Sequence, residues 1–509
     1  MPIPAATASP RASWNAWLRG LLLVAPVLAL TARFVAQNSY SLYDDTFIYF
    51  RYVENVFHGC ALRFNCADAP VEGFTSPLYL AVLSLARLVS PDLRTLTQVL
   101  GALCTAAGLS VAVLTADDAR LLRGHPRLSF ALAACVSLAL ALDHVVLLNA
   151  VTGMETALAV LVTTLLLRAL LLERHRWVPW LCVLAWLCRP EEALFLVVLP
   201  IVTGRARWRL WIAPFAAAAA VELGRVAVFH DLLPNTYYAK SGGTLRHVAL
   251  GVDYLRTVLR EAPLIALAPL ALAIPHLRRA VAGVLAVTAL LFVFFLRSGG
   301  DAFLYSRLPA PLVPTLVLLA MHGACALALR LREPWGARVS VAVLALCTAY
   351  LPLDWRSHRF APTHGLALVD QWGRLGRWLR ANHPRATVAV VPIGAIAYYS
   401  DARVIDLVGL TSREIAHARR GVPPERLRAN WIGHERHDTE YVLGQRPDLI
   451  IFTRTRTTPW RDLAETRAGF WAEWLLLREI KAGRAPYVVD DAALGPREHV
   501  LMFRRIPGP

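Results

Sequence analysis

The sequence predicts a polytopic α-helical membrane protein with a small soluble domain at its C-terminus. Of its 509 residues, 56% are hydrophobic, and the mean hydropathy is +0.47, which is unusual for a soluble globular protein. Apolar stretches recur from Leu18 to Pro352, as expected for a series of membrane-spanning helices. After Asp354 the long apolar runs stop and the charge density rises. We therefore predict a membrane domain over residues 1–355 and a soluble domain over residues 356–509.

The positive charge of the chain indicates membrane topology and not a nucleic-acid surface. The formal net charge is +17, and Lys occurs only at positions 240 and 481, so 51 of the 53 basic residues are Arg. Many of these Arg lie in short turns between apolar segments, which is the positive-inside pattern of membrane proteins. We expect the lipid bilayer as a partner and no nucleic acid.

Five basic clusters predict the orientation of the chain. If all five are cytoplasmic, two apolar segments separate each cluster from the next, and the chain has about 11 spans with its N-terminus inside. The clusters are Arg120–Arg127, Glu173–Arg176, Arg205–Arg209, His276–Arg279 and Arg330–Arg338. The C-terminal domain then lies outside the cytoplasmic membrane, together with the loops 37–77, Asn149–Glu155, Arg189–Glu192, His230–Glu261 and Arg297–Arg307.

The first two apolar segments differ in kind. Leu21–Ala36 is longer than the apolar region of a cleavable signal peptide and more apolar segments follow it, so we predict an uncleaved first span. Leu78–Val89 is too short, because a helix of ~12 residues rises only ~18 Å against a hydrocarbon core of ~30 Å. We predict that it forms a helix lying in, or dipping into, the outer interface.

Two of the eight cysteines stand apart from the rest. Cys60 and Cys66 lie in the first polar loop, where a disulfide and two free thiols are equally open alternatives if the loop is extracytoplasmic. The others lie in apolar segments and are expected to pack as small hydrophobic residues. No second Cys or His pair has the spacing of zinc ligands, so we predict no metal site, although a carboxylate-bound divalent ion stays an alternative.

The first outer loop, 37–77, carries the residues that point most directly to chemistry. It contains the adjacent carboxylates Asp44 and Asp45, then Arg51 and Tyr52, and then a turn that includes Glu72. We interpret the Asp pair as a source of a catalytic base held at the membrane surface. The alternative is a pair that caps a helix or is merely solvated.

The chain resembles the arabinofuranosyltransferase-type membrane glycosyltransferases, which include the mycobacterial terminal β-(1→2)-arabinofuranosyltransferases and their bacterial relatives. In the first loop the resemblance rests on Asp44–Ile48, Arg51, Tyr52, Asn55, Gly59, Asn65 and Val71–Leu78. It continues through Leu233–Thr236 to Lys240, Gly299–Asp301 and Ile405–Leu410. These segments follow in order from the first span into the C-terminal domain, so the resemblance covers most of the chain.

The resemblance implies a GT-C fold and sugar transfer on the outer face of the cytoplasmic membrane. The donor is a sugar linked to polyprenyl phosphate, arabinofuranose being favoured, and the acceptor is a hydroxyl of an envelope glycan or glycoconjugate. A carboxylate is needed to take the acceptor proton, because a sugar hydroxyl is a poor nucleophile. Cations are needed for the charge that develops on the phosphate. No cofactor is required.

The implied site residues fall into two groups. For the base the candidates are Asp44 and Asp45. Consecutive helical residues point about 100° apart and do not reach the same hydroxyl, so one can act as base while the other orients substrate, and Asp44 is favoured as the base. The substrate-binding candidates are Arg51, Tyr52, Glu72, Arg189, Glu191, Asn235, Lys240, Asp301 and Arg307. Lys240 is the favoured phosphate partner and Arg307 the second, since the positive-inside rule does not account for a lysine on the outer side.

Several of these candidates have a structural alternative. Arg51 can extend to lipid headgroups, and Glu72 can cap a turn or pair with Arg51. Two further pairs can be structural ion pairs, namely Arg189 with Glu191 and Asp301 with Arg307.

The C-terminal domain is predicted to be a small α/β or α+β unit. Leu366–Asn382 has the period of an amphipathic helix, whereas Ala386–Val391 and Leu449–Thr453 are typical of short buried strands. The domain has no nucleotide-binding or hydrolase motif. Covering the mouth of an active site and binding a polysaccharide acceptor are both open roles.

Two other classes of function compete with the enzyme. A lipid-linked sugar transporter or flippase fits the many spans, but the acidic residues lie in loops and the two halves show no repeat. A noncatalytic envelope scaffold would need neither the Asp pair nor Lys240.

Overall fold

The computed structural model describes residues 10–38, 42–118, 126–240, 242–303, 306–331, 335–336, 338–343, 346 and 364–507. The helices before residue 330 are α1 Pro10–Gln37, α2 Asp44–Phe57, α3 Pro77–Arg87, α4 Leu93–Ala116, α5 Pro126–Ala141, α6 His144–Val151, α7 Thr156–Leu171, α8 Val178–Cys188, α9 Ala193–Thr203, α10 Arg209–Phe229, α11 Asn235–Ala239, α12 Leu245–Glu261, α13 Arg278–Ser298 and α14 Val313–Ala328. A 3-10 helix, Pro263–Ala273, packs against α14.

Within the described ranges, five helical segments are long and apolar enough to cross a membrane. They are Trp17–Gln37, Leu93–Ala116, Arg209–Phe229, Pro275–Ser298 and Ala310–Ala328. A sixth is added if Arg127–Ala141 and His144–Val151, which meet at a bend of 49°, form one span. Because the estimate of about 11 spans also counts shorter apolar helices and residues beyond the described ranges, that number stays a prediction.

Helix α3 confirms that the apolar segment after the first loop is helical and short. The side chain of Ser76 accepts a hydrogen bond from the backbone N–H of Tyr79 at 3.1 Å, and Pro77 occupies the first helical position, so the sequence defines the start of the helix. Its 11 residues rise about 16 Å, well short of a bilayer core.

The C-terminal domain is an α/β unit, as predicted. Its strands are β1 Thr387–Val390, β2 Arg403–Asp406, β3 Leu449–Arg456, β4 Tyr487–Gly495 and β5 Glu498–Arg505, in the order β2-β1-β3-β5-β4. The first three are parallel, and β5 and β4 add an antiparallel edge. Its helices are α15 His364–Asn382, α16 Gly394–Ser400, α17 Arg413–Ala416, α18 Thr439–Gly444 and α19 Trp471–Lys481. The predicted boundary between residues 355 and 356 lies outside the described residues.

The C-terminal domain is attached to the first loop through α2. The backbone of Gly394, at the start of α16, lies so close to α2 that a Cβ atom there would be 1.9 Å from the carbonyl oxygen of Asp44. Arg51 on α2 donates hydrogen bonds to the carbonyl oxygens of Ala397 and of Ala402, the latter at 2.8 Å. Helix α2 and the C-terminal domain therefore form one packed interface.

Gly394→Ala should weaken this interface. The added methyl group meets backbone, which cannot move aside as a flexible side chain can, so we expect a loss of about 1–3 kcal/mol of stability. Thermal unfolding of the purified protein measures the loss. Gly444→Ala is the matched control, because a Cβ atom at Gly444 meets nothing within 4 Å. Equal melting temperatures for the two variants would contradict the close packing.

Candidate active site

A small polar cavity lies where the start of α2, the loop after α13 and the C-terminal domain meet. Its volume is about 60 Å³. Its wall includes Asp45, Lys240, Asp301 and Arg307, which are candidates from three separate loops of the sequence. His434 of the C-terminal domain also lines it. The fold therefore brings a base candidate and both phosphate-partner candidates to one place.

The carboxyl group of Asp45 is the acidic group of the first loop that lines this cavity. Burial raises its pKa above the ordinary value, and the positive charge of Arg307 is the largest opposing influence, followed by His434 and Lys240. A carboxylate with a raised pKa is a stronger base than one in water. This is the property required to take a proton from a hydroxyl.

Asp301 and Arg307 form a buried ion pair beside Asp45. The Arg307 Nε atom lies 2.9 Å from Asp301 Oδ2, and a second guanidinium nitrogen lies 3.4 Å from Oδ1. Burial opposes ionisation of Asp301, but the charges of Arg307 and then Lys240 hold its pKa below the usual range. The predicted structural pairing is present, and it also fixes the Arg307 guanidinium, which lies 4.5 Å from the centre of the Phe303 ring, at the cavity.

Lys240 differs from Arg307 in being unpaired. It follows α11 directly, is exposed, and its side chain passes over Gly433 of the C-terminal domain. Among the described residues, no carboxylate forms an ion pair with its ammonium group. Lys240 is therefore a cation that lines the cavity and is available to an anionic ligand.

Arg189 and Glu191 do not line the cavity, although the charge of Arg307 acts on Arg189 and that of Lys240 on Glu191. Arg189 Nε lies 2.7 Å from Glu191 Oε1, so the predicted local ion pair exists, and a further Arg189 nitrogen lies 3.4 Å from Glu155 Oε1. Glu155 Oε2 has no hydrogen-bond partner in the part of the chain that the structure describes. Glu155 lies two residues after Gly153, which adopts the left-handed backbone conformation. The contact with Arg189 could not be predicted from a single Glu in a short loop.

Arg51, Tyr52 and Asn235 hold loops in place and do not line the polar cavity. The hydroxyl of Tyr52 donates to the carbonyl oxygen of Val71 at 2.6 Å and accepts from the N–H of Gly73. The amide of Asn235 donates to the carbonyl oxygens of residues 409 and 410. Arg51 donates to four oxygen atoms, three of them backbone carbonyls, so most of its donors are used in packing the C-terminal domain and the first loop against α2.

Glu72 pairs with a residue that the sequence did not suggest. The alternative that paired it with Arg51 is wrong, because Arg225 of α10 lies 2.7 Å from Glu72 Oε2. Both side chains are buried, and Arg225 also contacts Glu222. A single Arg in an apolar helix, 153 residues further along the chain, carries no local sign of such a partner.

Asp44 serves the contact between the domains. Its two carboxylate oxygens accept hydrogen bonds from the backbone N–H groups of Gly394 at 2.9 Å and Ala395 at 2.8 Å. Burial raises its pKa to about 7, although these hydrogen bonds oppose the shift. The helix-capping alternative thus describes Asp44, but the capped helix is α16 of the C-terminal domain.

Two further expectations concern cysteines and metals. Cys60 and Cys66 form a disulfide, with their Cα atoms 5.3 Å apart, which resolves the open alternative. Within the described ranges, no group of three or more His, Cys, Asp or Glu side chains is arranged to hold a metal ion.

Comparison with known proteins identifies the fold. Two crystal structures of ArnT from Cupriavidus metallidurans, one bound to undecaprenyl phosphate and one in the apo state, are similar to this chain. Each has a TM-score of 0.55 and 14% identity, and each match covers 96% of this chain and 98% of the ArnT chain. Residues 364–494 match a family model described as a domain of unknown function, DUF8728. Among curated proteins, none matches the sequence. The chain therefore has the ArnT-like GT-C fold of a multi-span helical membrane protein.

Proposed function

We propose that this protein is a glycosyltransferase that moves a sugar from a polyprenyl-phosphate donor to a hydroxyl of an envelope glycan or glycoconjugate. The observation that supports this most is the meeting of Asp45, Lys240 and Arg307 at one cavity at the polar end of a membrane bundle. The similar fold of ArnT, which was crystallised with undecaprenyl phosphate, supports a lipid phosphate as part of the donor.

In the proposed reaction, Asp45 is the general base. The acceptor oxygen attacks the anomeric carbon of the donor sugar, its proton passes to Asp45, and the bond from that carbon to the phosphate oxygen breaks. Polyprenyl phosphate leaves with the bonding electrons, and Lys240 and Arg307 stabilise the charge that it gains. Asp44, first favoured as the base, becomes the residue that positions α2 against α16. With two cations at the cavity, the proposed reaction requires no cofactor.

The identity of the sugar rests on narrower support. Arabinofuranose is proposed only because the segments around Asp44–Ile48, Lys240 and Asp301 resemble the arabinofuranosyltransferases. The cavity residues themselves suit any sugar whose anomeric carbon carries a phosphate.

The effect of deleting the gene on the envelope glycan tests the proposed function in the cell. The deletion strain should lack one terminal sugar and accumulate the unmodified acceptor. Wild-type protein should restore the sugar, and Asp45→Asn, made at equal abundance, should not. An unchanged envelope glycan in the deletion strain would contradict the proposed transfer of a sugar to that glycan.

We propose that the cavity and the C-terminal domain face away from the cytoplasm. The Cys60–Cys66 disulfide supports this orientation, because disulfides persist in oxidising compartments. A cysteine in place of Gly444, which is exposed in the C-terminal domain, should react with a membrane-impermeant maleimide added to intact cells. A cysteine in place of exposed Arg176, in a basic cluster, should react only after lysis. Reversed labelling would place the site in the cytoplasm.

The rate of transfer should fall at low pH as Asp45 becomes protonated. Because burial raises its pKa, we expect this fall at a higher pH than for a free Asp side chain. Lys240 lowers the pKa of Asp45, so Lys240→Ala should move the acidic limb of the pH–rate profile to still higher pH. Single-turnover rates across pH measure the acidic limb of the wild-type protein and that of Lys240→Ala. A limb that moves to lower pH in Lys240→Ala would contradict the assigned contact.

A further inference from the structure

A second, larger cavity adjoins the polar one. Its volume is about 420 Å³, which is within the range of sites that bind small molecules. The two cavities share Asp45, Phe303, Leu410 and His434 in their walls. A molecule in the larger cavity is therefore next to the carboxylate that we assign as the base.

The wall of this cavity is mostly apolar, made of aliphatic side chains and aromatic rings, and it carries a few polar groups. The rings belong to Tyr43, Phe303, Trp372 and Phe470, and the rings of Tyr43 and Phe303 stack with their centres 4.6 Å apart. The indole N–H of Trp372 is buried and has no hydrogen-bond partner among the residues that the structure describes. Because this nitrogen is closed off, the aromatic ring of Trp372 and not its N–H is the part that lines the cavity.

Asp44, Asp45, Asn430 and His434 add ionisable and polar side chains to the wall. A sugar ring matches this lining, because its C–H faces pack on aromatic rings while its hydroxyl groups need a small number of hydrogen-bonding partners.

The position of the cavity indicates a saccharide and not a lipid tail. None of its lining residues belongs to the five helical segments that are long and apolar enough to span a membrane. Most of the lining comes from the C-terminal domain, including Trp372 on α15 and Val391–Ile393 after β1. A polyprenyl chain would have to leave the bilayer to reach these residues, whereas a glycan outside the membrane would not.

We propose that this cavity binds the saccharide of the acceptor, with Trp372 and Phe470 as its stacking surfaces and the attacking hydroxyl directed toward Asp45. The inference rests on the proposed function and adds a binding role for the C-terminal domain. It places the acceptor saccharide next to the charged groups that we assign to act on the donor.

Steady-state kinetics of the purified full-length protein test this assignment. The donor is a labelled polyprenyl-phosphate sugar, and the acceptor probe is the delipidated oligosaccharide fraction from the envelope of the deletion strain. Trp372→Ala and Phe470→Ala should each raise the acceptor KM about fivefold to tenfold, the effect of losing one aromatic contact. Trp372→Phe should have a smaller effect. Cleavage of the donor by water, measured without acceptor, should stay within about twofold of wild type, because none of these substitutions removes a group that acts on the donor.

Trp474→Ala is the matched control. Trp474 belongs to the same domain and stacks on Trp471, but it does not line the cavity. We expect a wild-type acceptor KM for this variant. Donor cleavage also shows that each variant is folded. If Trp372→Ala no longer cleaves the donor, the acceptor KM values of Trp372→Phe and Phe470→Ala test the inference.

Two results would overturn the inference while leaving the proposed function intact. One is an unchanged acceptor KM in folded Trp372→Phe and Phe470→Ala proteins. The other is a wild-type enzyme that glycosylates the lipid fraction of the deletion strain, whereas the oligosaccharides neither serve as acceptors nor inhibit that reaction. Absence of donor cleavage and transfer in the wild-type protein would instead contradict the proposed function itself.

Discussion

Asp45→Asn is expected to lower the rate of sugar transfer by about 10²–10⁴-fold, the usual contribution of a general base. The amide keeps the size of the side chain but does not accept the proton of the attacking hydroxyl. Asp45 is half-buried beside Arg307, His434 and Lys240, and because the amide has nearly the same shape as the carboxylate, we expect donor binding and folding to stay largely intact. Single-turnover kinetics with a saturating acceptor measure the chemical step, and thermal unfolding checks the fold.

Asp44→Asn is the matched control for this variant. It removes the adjacent carboxylate, whose oxygens bind the backbone of Gly394 and Ala395. An amide accepts one of these hydrogen bonds and opposes the other with its own N–H groups, so we expect a loss of about 1–3 kcal/mol of stability. Its rate should fall less than that of Asp45→Asn. An Asp45→Asn protein with more than half the wild-type rate, or a larger rate loss in folded Asp44→Asn, would contradict the assignment.

Lys240→Ala is expected to lower the chemical rate by about 10²–10³-fold, as the loss of one group that stabilises developing charge commonly does. Its ammonium lines the cavity without an ion-pair partner among the described residues, so its charge is not already neutralised by a neighbour. The acceptor KM should change much less, because the charge on the leaving phosphate develops in the transition state. Lys240→Arg keeps the positive charge and should recover only part of the rate, since a guanidinium is larger and planar where an ammonium is compact.

Lys481→Ala provides the matched control, because Lys481 is the only other lysine of the chain. It lies in the C-terminal domain and donates to the carbonyl oxygen of Thr466 at 3.2 Å. We expect wild-type kinetics from this variant. If the chemical step of Lys240→Ala equals that of wild type, the leaving phosphate is stabilised elsewhere, with Arg307 as the next candidate.

The features that the sequence predicted well are those with local causes. The short helix predicted at Leu78–Val89 corresponds to Pro77–Arg87, and the strand predicted at Ala386–Val391 contains β1, Thr387–Val390. The amphipathic period of Leu366–Asn382 lies within α15, and the strand predicted at Leu449–Thr453 is part of β3. In each case the residues that decide the structure are neighbours in the chain.

The features that the sequence missed depend on distant contacts. Nothing near Asp44 and Asp45 shows which of them faces the cavity, because the answer depends on Gly394, which lies 350 residues away from Asp44. His434 was missed for the same reason, since its role follows only from docking of the C-terminal domain on α2.

The most direct test of the account is transfer by the purified protein in lipid vesicles. The vesicles contain a polyprenyl-phosphate sugar labelled in the sugar, and the envelope glycan of the deletion strain is supplied as acceptor. We predict a labelled glycosidic product and release of polyprenyl phosphate with wild-type protein, and formation of both at least about 10²-fold more slowly with Asp45→Asn. Movement of the labelled lipid across the bilayer, with no glycosidic product, would contradict the account and identify a transporter.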